Sequence, residues 1–402
     1  MKVGVVICGQ AQEIGGGYTF ETELFQSLLA LFKETKHYFR ILCNEKRLVN
    51  LLPVLKSVGL DYTAYARFDA RVAIEQTLSS LSWRFNLLYH RFARRGGLEM
   101  VARQSGVEFL WFLNSEPVSV DLPYLTVVWD LQHRLQPWFP EFSAGGEWDA
   151  REAHYSRFLR RASTVITGTR AGLEEVHQFY QVPIGRIRIL PHPTPSYCLN
   201  TSNDNSKNIL SRLGVPSRYI FYPAQFWPHK NHANLLLAVS ILRDMYGLVI
   251  SVVLTGTDKG NLKYIRKLSD ELGLSDQVHF LGFRPQEDLV TLYKNAFALT
   301  YVSFCGPENL PPLEAFALGC PVVASDVAGA REQLAEAAIL VDPGDPEQIA
   351  SALKLLYDNP SMRQQLITKG YERATRSTGQ DFVRGVFKIL DEFESVRRCW
   401  QS

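Results

Sequence analysis

Two kinds of apolar periodicity alternate along this 402-residue chain. The continuous apolar run 3–8 reads as a strand buried on both faces, and 38–43, 108–113, 125–129 and 164–167 read as further strands. Between them Phe20, Leu24, Leu28 and Leu31 recur at helical spacing, and 147–161 and 171–180 read as helices. The region 60–105, rich in arginine and aromatics, gives no ordered series of elements. A second series starts at Tyr219, with strands over 220–222, 249–254, 278–281, 298–302, 322–324 and 339–341. Helices fall between them, and 345–358 adds another with Pro346 in its first turn, where a missing N–H costs least. Strands separated by helices mean βαβ units and parallel sheets covered on both faces.

Two such series fit a chain that is long for one hydrophobic core. Pro191-His192-Pro193-Thr194-Pro195 and the polar stretch 200–208 read as the joint between them. The expected division is an N-terminal domain over 1–195, a linker over 196–216, a C-terminal domain over 217–378 and a final segment, 379–402, that is mostly one helix.

Composition narrows the classes. A hydrophobic fraction of 46% and a charged fraction of 21% are ordinary for a globular protein, and a net charge of +2 gives no reason to expect nucleic acid. One local basic stretch, His90-Arg91-Phe92-Ala93-Arg94-Arg95, reads either as a solvated helix face or as a contact with an anionic membrane surface. The six cysteines have no CxxC spacing and no histidine partners, which argues against a zinc site and a disulfide framework; Cys8 and Cys43 read as small core residues. The chain enters its first strand without a leader pattern, and no apolar run approaches the roughly 18 to 20 residues that span a bilayer. The expected location is the cytoplasm, at most touching the inner face of the plasma membrane.

The segment Gly306-Pro307-Glu308-Asn309-Leu310-Pro311-Pro312-Leu313-Glu314 carries the most chemistry. Asn309 is a good helix N-cap, and two prolines occupy the first turn after it. The helix carries Glu314 and ends at Gly319, and Pro321 opens the next strand. This unit is expected to direct free amides and one carboxylate into the same space. Amides at a helix N-terminus suit a phosphate, and a carboxylate suits a sugar diol; nucleotide sugars carry both. The plainer alternative is a buried helix–strand turn with an incidental glutamate.

The same segment resembles the donor-site signature of the family 4 glycosyltransferases, retaining enzymes of the GT-B fold. Their pattern places two glutamates eight positions apart around Gly-Leu-Pro-Pro-Leu. The second falls on Glu314, the first on Gly306, with Glu308 two positions late. Resemblance extends to Trp227-Pro228-His229-Lys230-Asn231-His232, where Lys230 matches a diphosphate-binding lysine and Gln225 stands in the place of an arginine. Gly15-Gly16-Gly17 matches the family's N-terminal glycine loop, so Gly16 and Gly17 are expected against the donor. Trp129-Asp130 takes the place of a His-Asp pair, with His133 one helical turn further; which of Asp130 and His133 is catalytic stays open, beside a purely salt-bridged loop. Gly256 ends a strand at a carboxyl edge where α/β sheets bind ligands, and Gly282-Phe283-Arg284 resembles the base-contact loop. Ordinary turn chemistry is the alternative for both.

The resemblance implies an α/β fold of two Rossmann-like domains facing a cleft, the last helix packing back on the N-terminal domain. It implies transfer of a sugar from a nucleoside diphosphate sugar to a glycan or lipid-linked acceptor with retained configuration, in cell-surface polysaccharide or O-antigen-type synthesis. Catalytic residues would be Asp130, His133 and Lys230. Donor contacts would come from Gly16, Gly17, Gln225, Lys230, Gly256, Phe283, Arg284, Glu308, Asn309, Leu310 and Glu314, and the acceptor would sit on the N-terminal domain. No cofactor and no metal is called for, since the chain has no Asp-x-Asp motif. Rival readings are a nucleotide-sugar epimerase or phosphorylase on the same fold, or a catalytically inactive donor-binding module. A dinucleotide dehydrogenase fits poorly, since no GxGxxG with an acidic partner follows the first strand.

Overall fold

The computed structural model describes residues 1–7, 15–65, 97–114, 120–201 and 206–400. Cys8 and the basic stretch at 90–95 lie outside the described residues. The N-terminal sheet holds β1 (Lys2–Ile7), β2 (Tyr38–Asn44), β3 (Asp61–Tyr65), β4 (Phe109–Phe112), β5 (Tyr124–Val127), β6 (Thr164–Thr167) and β7 (Ile187–Ile189), in the order β3-β2-β1-β4-β5-β6-β7. The C-terminal sheet holds β8 (Tyr219–Pro223), β9 (Ser251–Thr255), β10 (Val278–Gly282), β11 (Ala298–Tyr301), β12 (Val322–Ser325) and β13 (Ala338–Val341), in the order β10-β9-β8-β11-β12-β13. All pairings are parallel; Val3, for instance, stands opposite Phe39 on one side and Phe109 on the other. Each sheet therefore reverses its order beside its own first strand, between β1 and β4 and between β8 and β11. The crevice at the carboxyl ends of such strands is where open α/β sheets take ligands.

The buried runs behave as the pattern required. Val3, Val5, Ile41 and Trp111 are fully buried in one core, and Ile220, Phe221, Val252 and Leu299 in the other. The last helix, Gly379–Arg397, starts from a capping box between Thr378 and Asp381 and lays Phe382, Val386 and Leu390 into the N-terminal core. Asp345 caps the helix Pro346–Asp358 by accepting from the Glu347 and Gln348 N–H groups.

The expected linker is not a free strap. Ser196–Leu199 and Ser206–Leu213 are short helices, and Tyr197, Cys198, Leu199, Leu210 and Leu213 pack on the C-terminal core. Their apolar residues were legible, but polar neighbours masked so short an amphipathic pattern. Among the described residues the cysteines are free, and no helix is long and apolar enough to cross a membrane.

Candidate functional site at the domain junction

Two loops flank the reversal point of the C-terminal sheet, 224–231 after β8 and 302–309 after β11. The first ends in a single 3-10 turn, Pro228–Lys230, and Asn231 then adopts a left-handed φ of 58°. Asparagine tolerates that conformation better than most residues. Its Nδ2 donates to the Val302 carbonyl at 2.8 Å and the Pro343 carbonyl at 2.7 Å, which stitches the two loops together. Lys230 projects onto the end of β11, where Nζ donates to the Tyr301 hydroxyl at 2.9 Å. Burial lowers its pKa, but Tyr301, Cys305 and Asp130 raise it by more, so the ammonium stays charged.

In the second loop Asn309 stands at the N-cap of the helix Leu310–Ala317, with extended backbone. Its side chain does not close the cap; Nδ2 donates to the Cys305 carbonyl at 3.1 Å. The Asn309 N–H donates to Gln333 Oε1 at 3.0 Å, and Pro311 and Pro312 have no N–H to offer. The expected set of free amides thus narrows to Leu310.

The N-terminal domain meets these loops with the helix Gly16–Leu31. Gly15 is its N-cap, at φ 82° and with no side-chain cap, so Gly16 and Gly17 form the first helical turn rather than a loop. A Cβ on Gly15 would lie 4.0 Å from Gln225 Nε2, and one on Gly16 3.7 Å from Leu310 Cδ1. The other end of Gln225 accepts from Trp227 Nε1 at 2.9 Å. Gly256, at φ 138°, donates its N–H to the Gly282 carbonyl, and any side chain there would collide with the Ala224 carbonyl. It lets the loop bearing Gln225 lie flush on its neighbour. Phe283 is exposed and Arg284 half-buried on the loop after β10. The C-terminal domain thus brings a charged ammonium and the helix end at Leu310, and the N-terminal helix end approaches Gln225 and Leu310 from the other side. The arrangement suits an anionic group held between the domains.

Residues 209–373 match the family described as glycosyl transferases group 1. That stretch takes in the whole C-terminal sheet. Among curated proteins, the chain is 27% identical over 254 residues to a D-inositol 3-phosphate glycosyltransferase of Corynebacterium urealyticum, covering 60% of this chain and 59% of that one. It is 28% identical over 211 residues to the O-antigen chain mannosyltransferase RfbU of Salmonella typhimurium, covering 51% and 56%. The matches thus span a little over half the length of these relatives. The fold resembles that of Anabaena Alr3699/HepE, solved in complex with UDP-glucose, at a TM-score of 0.69 and 15% identity over 98% of this chain and 100% of that one. The architecture is GT-B.

The group 1 region holds most of the expected donor residues, yet two of its carboxylates turn elsewhere. Glu308 leaves its own domain and is buried in the N-terminal one. Its Oε1 accepts from the His192 N–H at 2.9 Å, and Gly168 makes the space, since any side chain there would overlap the carboxylate. Burial pushes the Glu308 pKa up to about 8 and that of His192 down to about 4, so both are neutral near pH 7 and their 3.6 Å contact is no ion pair. Glu308 therefore does not stand in for the carboxylate absent at Gly306, because its own is held by His192. Glu314 accepts from the Tyr197 hydroxyl at 2.7 Å and the Tyr293 hydroxyl at 2.6 Å, and burial raises its pKa. It lies inside the domain and not in open solvent.

On the N-terminal side, Asp130 is half-buried, accepts from the Gln132 N–H at 3.0 Å and stands 3.5 Å from Arg151. Its charge helps to raise the pKa of Lys230 and of His229, so it lies within electrostatic reach of the junction. His133 does not. Its ring is fully buried, bonded to the Tyr180 hydroxyl at 3.0 Å and packed among Trp148 and Tyr155, and burial lowers its pKa. The short helix Gln132–Leu135 turns His133 into its own domain and Gln132 toward Gly306 of the other, which removes His133 from the catalytic candidates.

Three residues were not foreseen. Gln132 Nε2 donates to the Gly306 carbonyl at 2.9 Å, Gln136 Nε2 to the Phe304 carbonyl at 2.7 Å, and Glu141 accepts from His229. The spacing of Gln132 and Gln136, four apart on one face, was the only local signal. Among the described residues no group of three or more His, Cys, Asp or Glu side chains is placed to hold a metal ion.

Proposed function

We propose that the chain is a retaining glycosyltransferase that moves a sugar from a nucleoside diphosphate sugar to a hydroxyl of a glycan or lipid-linked acceptor, without a metal ion. The observation that carries this reading is the meeting of the Gly15–Gly16 helix end with Gln225 and Leu310, with the charged Lys230 on the same loop as Gln225. A leaving diphosphate gains negative charge as an oxocarbenium-like sugar forms, and Lys230 with the two helix ends supplies the stabilisation. Asp130 lies within electrostatic reach of Lys230 from the N-terminal domain and is the side chain best placed for the cationic sugar or the acceptor. The UDP-glucose complex of a protein with this fold, and the O-antigen mannosyltransferase among the relatives, support a nucleotide-sugar donor and a role in cell-surface glycan synthesis. Action on the cytoplasmic side of a membrane belongs to the same reading.

One observation favours a second reading, donor binding without turnover. Gly306 has no carboxylate, and the neighbouring Glu308 is committed to His192. A panel of UDP-, GDP-, ADP- and dTDP-sugars, scored for binding, released nucleoside diphosphate and anomeric configuration of the product, separates the two. Binding with no turnover by any acceptor supports the module; binding of none removes both.

A further inference from the structure

The short helix Pro140–Ser143 belongs to the N-terminal domain, yet its Glu141 side chain is engaged by the other one. Oε1 accepts from the backbone N–H of His229 at 2.9 Å and from His229 Nδ1 at 2.5 Å. Both bonds land on the residue immediately before Lys230. The Glu141 side chain is 4% exposed, and its Oε2 meets no hydrogen-bond partner among the described residues. Removing a carboxylate from water is costly, and charge-assisted bonds to His229 are what offset it here.

The turn Pro228–Lys230 is held from two sides. Its own domain holds the carbonyl side: the His229 carbonyl accepts from the Phe304 N–H at 2.9 Å and from Ser303 Oγ at 3.3 Å, and the Tyr222 hydroxyl donates to the Lys230 carbonyl. The N-terminal domain holds the N–H side through Glu141. Phe139 and Phe142 pack on the His229 ring at 6.2 and 5.0 Å, which fixes its plane. Burial lowers the His229 pKa despite Glu141, while the bonds from His229 lower that of Glu141 despite burial. Near neutral pH the pair is a carboxylate accepting from a neutral imidazole.

We propose that Glu141 is a positioning residue for Lys230: by gripping His229 across the junction, the N-terminal domain sets where the Lys230 ammonium stands. The inference rests on the reading that Lys230 meets the donor diphosphate, and it adds that this charge is aligned only when the domains are closed. The cation is then supplied by one domain and aimed by the other.

The test is a double-mutant cycle on the full chain, with calorimetric binding of UDP, GDP and ADP to wild type, Glu141→Ala, Lys230→Ala and the double variant. Glu141→Ala should weaken binding by about tenfold when Lys230 is present and by less than about twofold when it is absent, since coupled residues are not additive. Glu141→Gln, which keeps size and one acceptor, should fall between, and it carries the same cycle if Glu141→Ala does not fold. Equal weakening in both lysine backgrounds overturns the inference alone, as does unchanged binding by Glu141→Ala. Failure of wild type to bind any nucleoside diphosphate overturns the donor reading and the inference with it.

Discussion

The two faces of the domain junction obtain their polar groups differently. On the C-terminal face, Lys230, Asn309 and Leu310 are placed by backbone: strand ends, a 3-10 turn and a proline-filled first turn. On the N-terminal face, Gln132, Gln136 and Glu141 are side chains from one short stretch, and all three are spent on backbone or ring groups of the opposite loops. One face carries the charge that a donor needs, and the other carries alignment. These polar contacts run beside aromatic ones, Phe139 against Phe304 and Phe142 against His229. Relative motion of two such domains is the ordinary expectation unless their interface is large and apolar.

The largest effect should come from the C-terminal face. Lys230→Ala is expected to lower kcat by about 10²–10³, the usual worth of one group aimed at developing negative charge. Lys230→Arg should rescue in part, because the guanidinium is larger and fork-shaped. Steady-state kinetics with the donor found in the panel check this. Full activity in Lys230→Ala would dissolve the division between the faces.

That division also explains what the sequence could tell. Lys230 and Asn309 stand at a strand end and a helix start that neighbouring residues mark in the sequence, so motif spacing located them. Their contacts to Tyr301 and Gln333 are distant and were not legible. The parallel strands were legible from their own apolar runs. His133 and Gln132 are adjacent in sequence but meet different domains, and only the packing of Tyr155, Trp148 and Tyr180 decides which of them turns inward. Glu308 was misplaced because its pocket is made by Gly168 and His192, more than a hundred residues away. Glu141 looks like any acidic residue in a helix first turn until His229 is seen against it.

Glu308 crosses the junction in the opposite direction and offers the second test. Its pKa is raised from the ordinary carboxylate range to about 8, with Glu332 adding to the burial effect and Arg373 opposing it. The folded chain thus holds this proton more tightly than the unfolded chain. Stability from this group is complete below the unfolded pKa of about 4.3 and is lost as pH rises through about 8. Glu308→Gln cannot ionise and should be more stable than wild type at pH 8, by on the order of a few kcal/mol, with the gap closing toward pH 5. Thermal unfolding between pH 5 and 9 measures it. Parallel curves for the two proteins would mean that the carboxylate is solvated, and the junction looser than described.

Glu314 asks whether the C-terminal face is as local as it looks. Glu314→Ala leaves the buried Tyr293 hydroxyl without its acceptor, a cost of about 1–3 kcal/mol to stability. Tyr293→Phe in the same background should restore part of the loss, since the orphaned hydroxyl goes with it. Denaturant unfolding and nucleotide calorimetry on the same samples separate structure from binding. Weakened nucleotide binding at unchanged stability would move Glu314 into the donor site and make its tyrosine contacts secondary.

The smallest effect should come from Gln132, and it bears most directly on the comparison. Gln132→Ala removes one neutral hydrogen bond to the Gly306 carbonyl, worth about 0.5–1.5 kcal/mol toward closing the junction. It touches neither Lys230 nor the helix ends, and its own Oε1 meets no partner among the described residues, so only the amide nitrogen is lost to the contact. Donor affinity should fall by a few-fold at most, with kcat at saturating donor nearly unchanged, because saturation by ligand restores the closed arrangement. X-ray scattering of the unliganded variant should show a slightly larger radius of gyration, and wild-type dimensions once donor is added. A loss of kcat comparable with that of Lys230→Ala would place chemistry on the N-terminal face, at the carbonyl of Gly306 where the sequence offers no carboxylate.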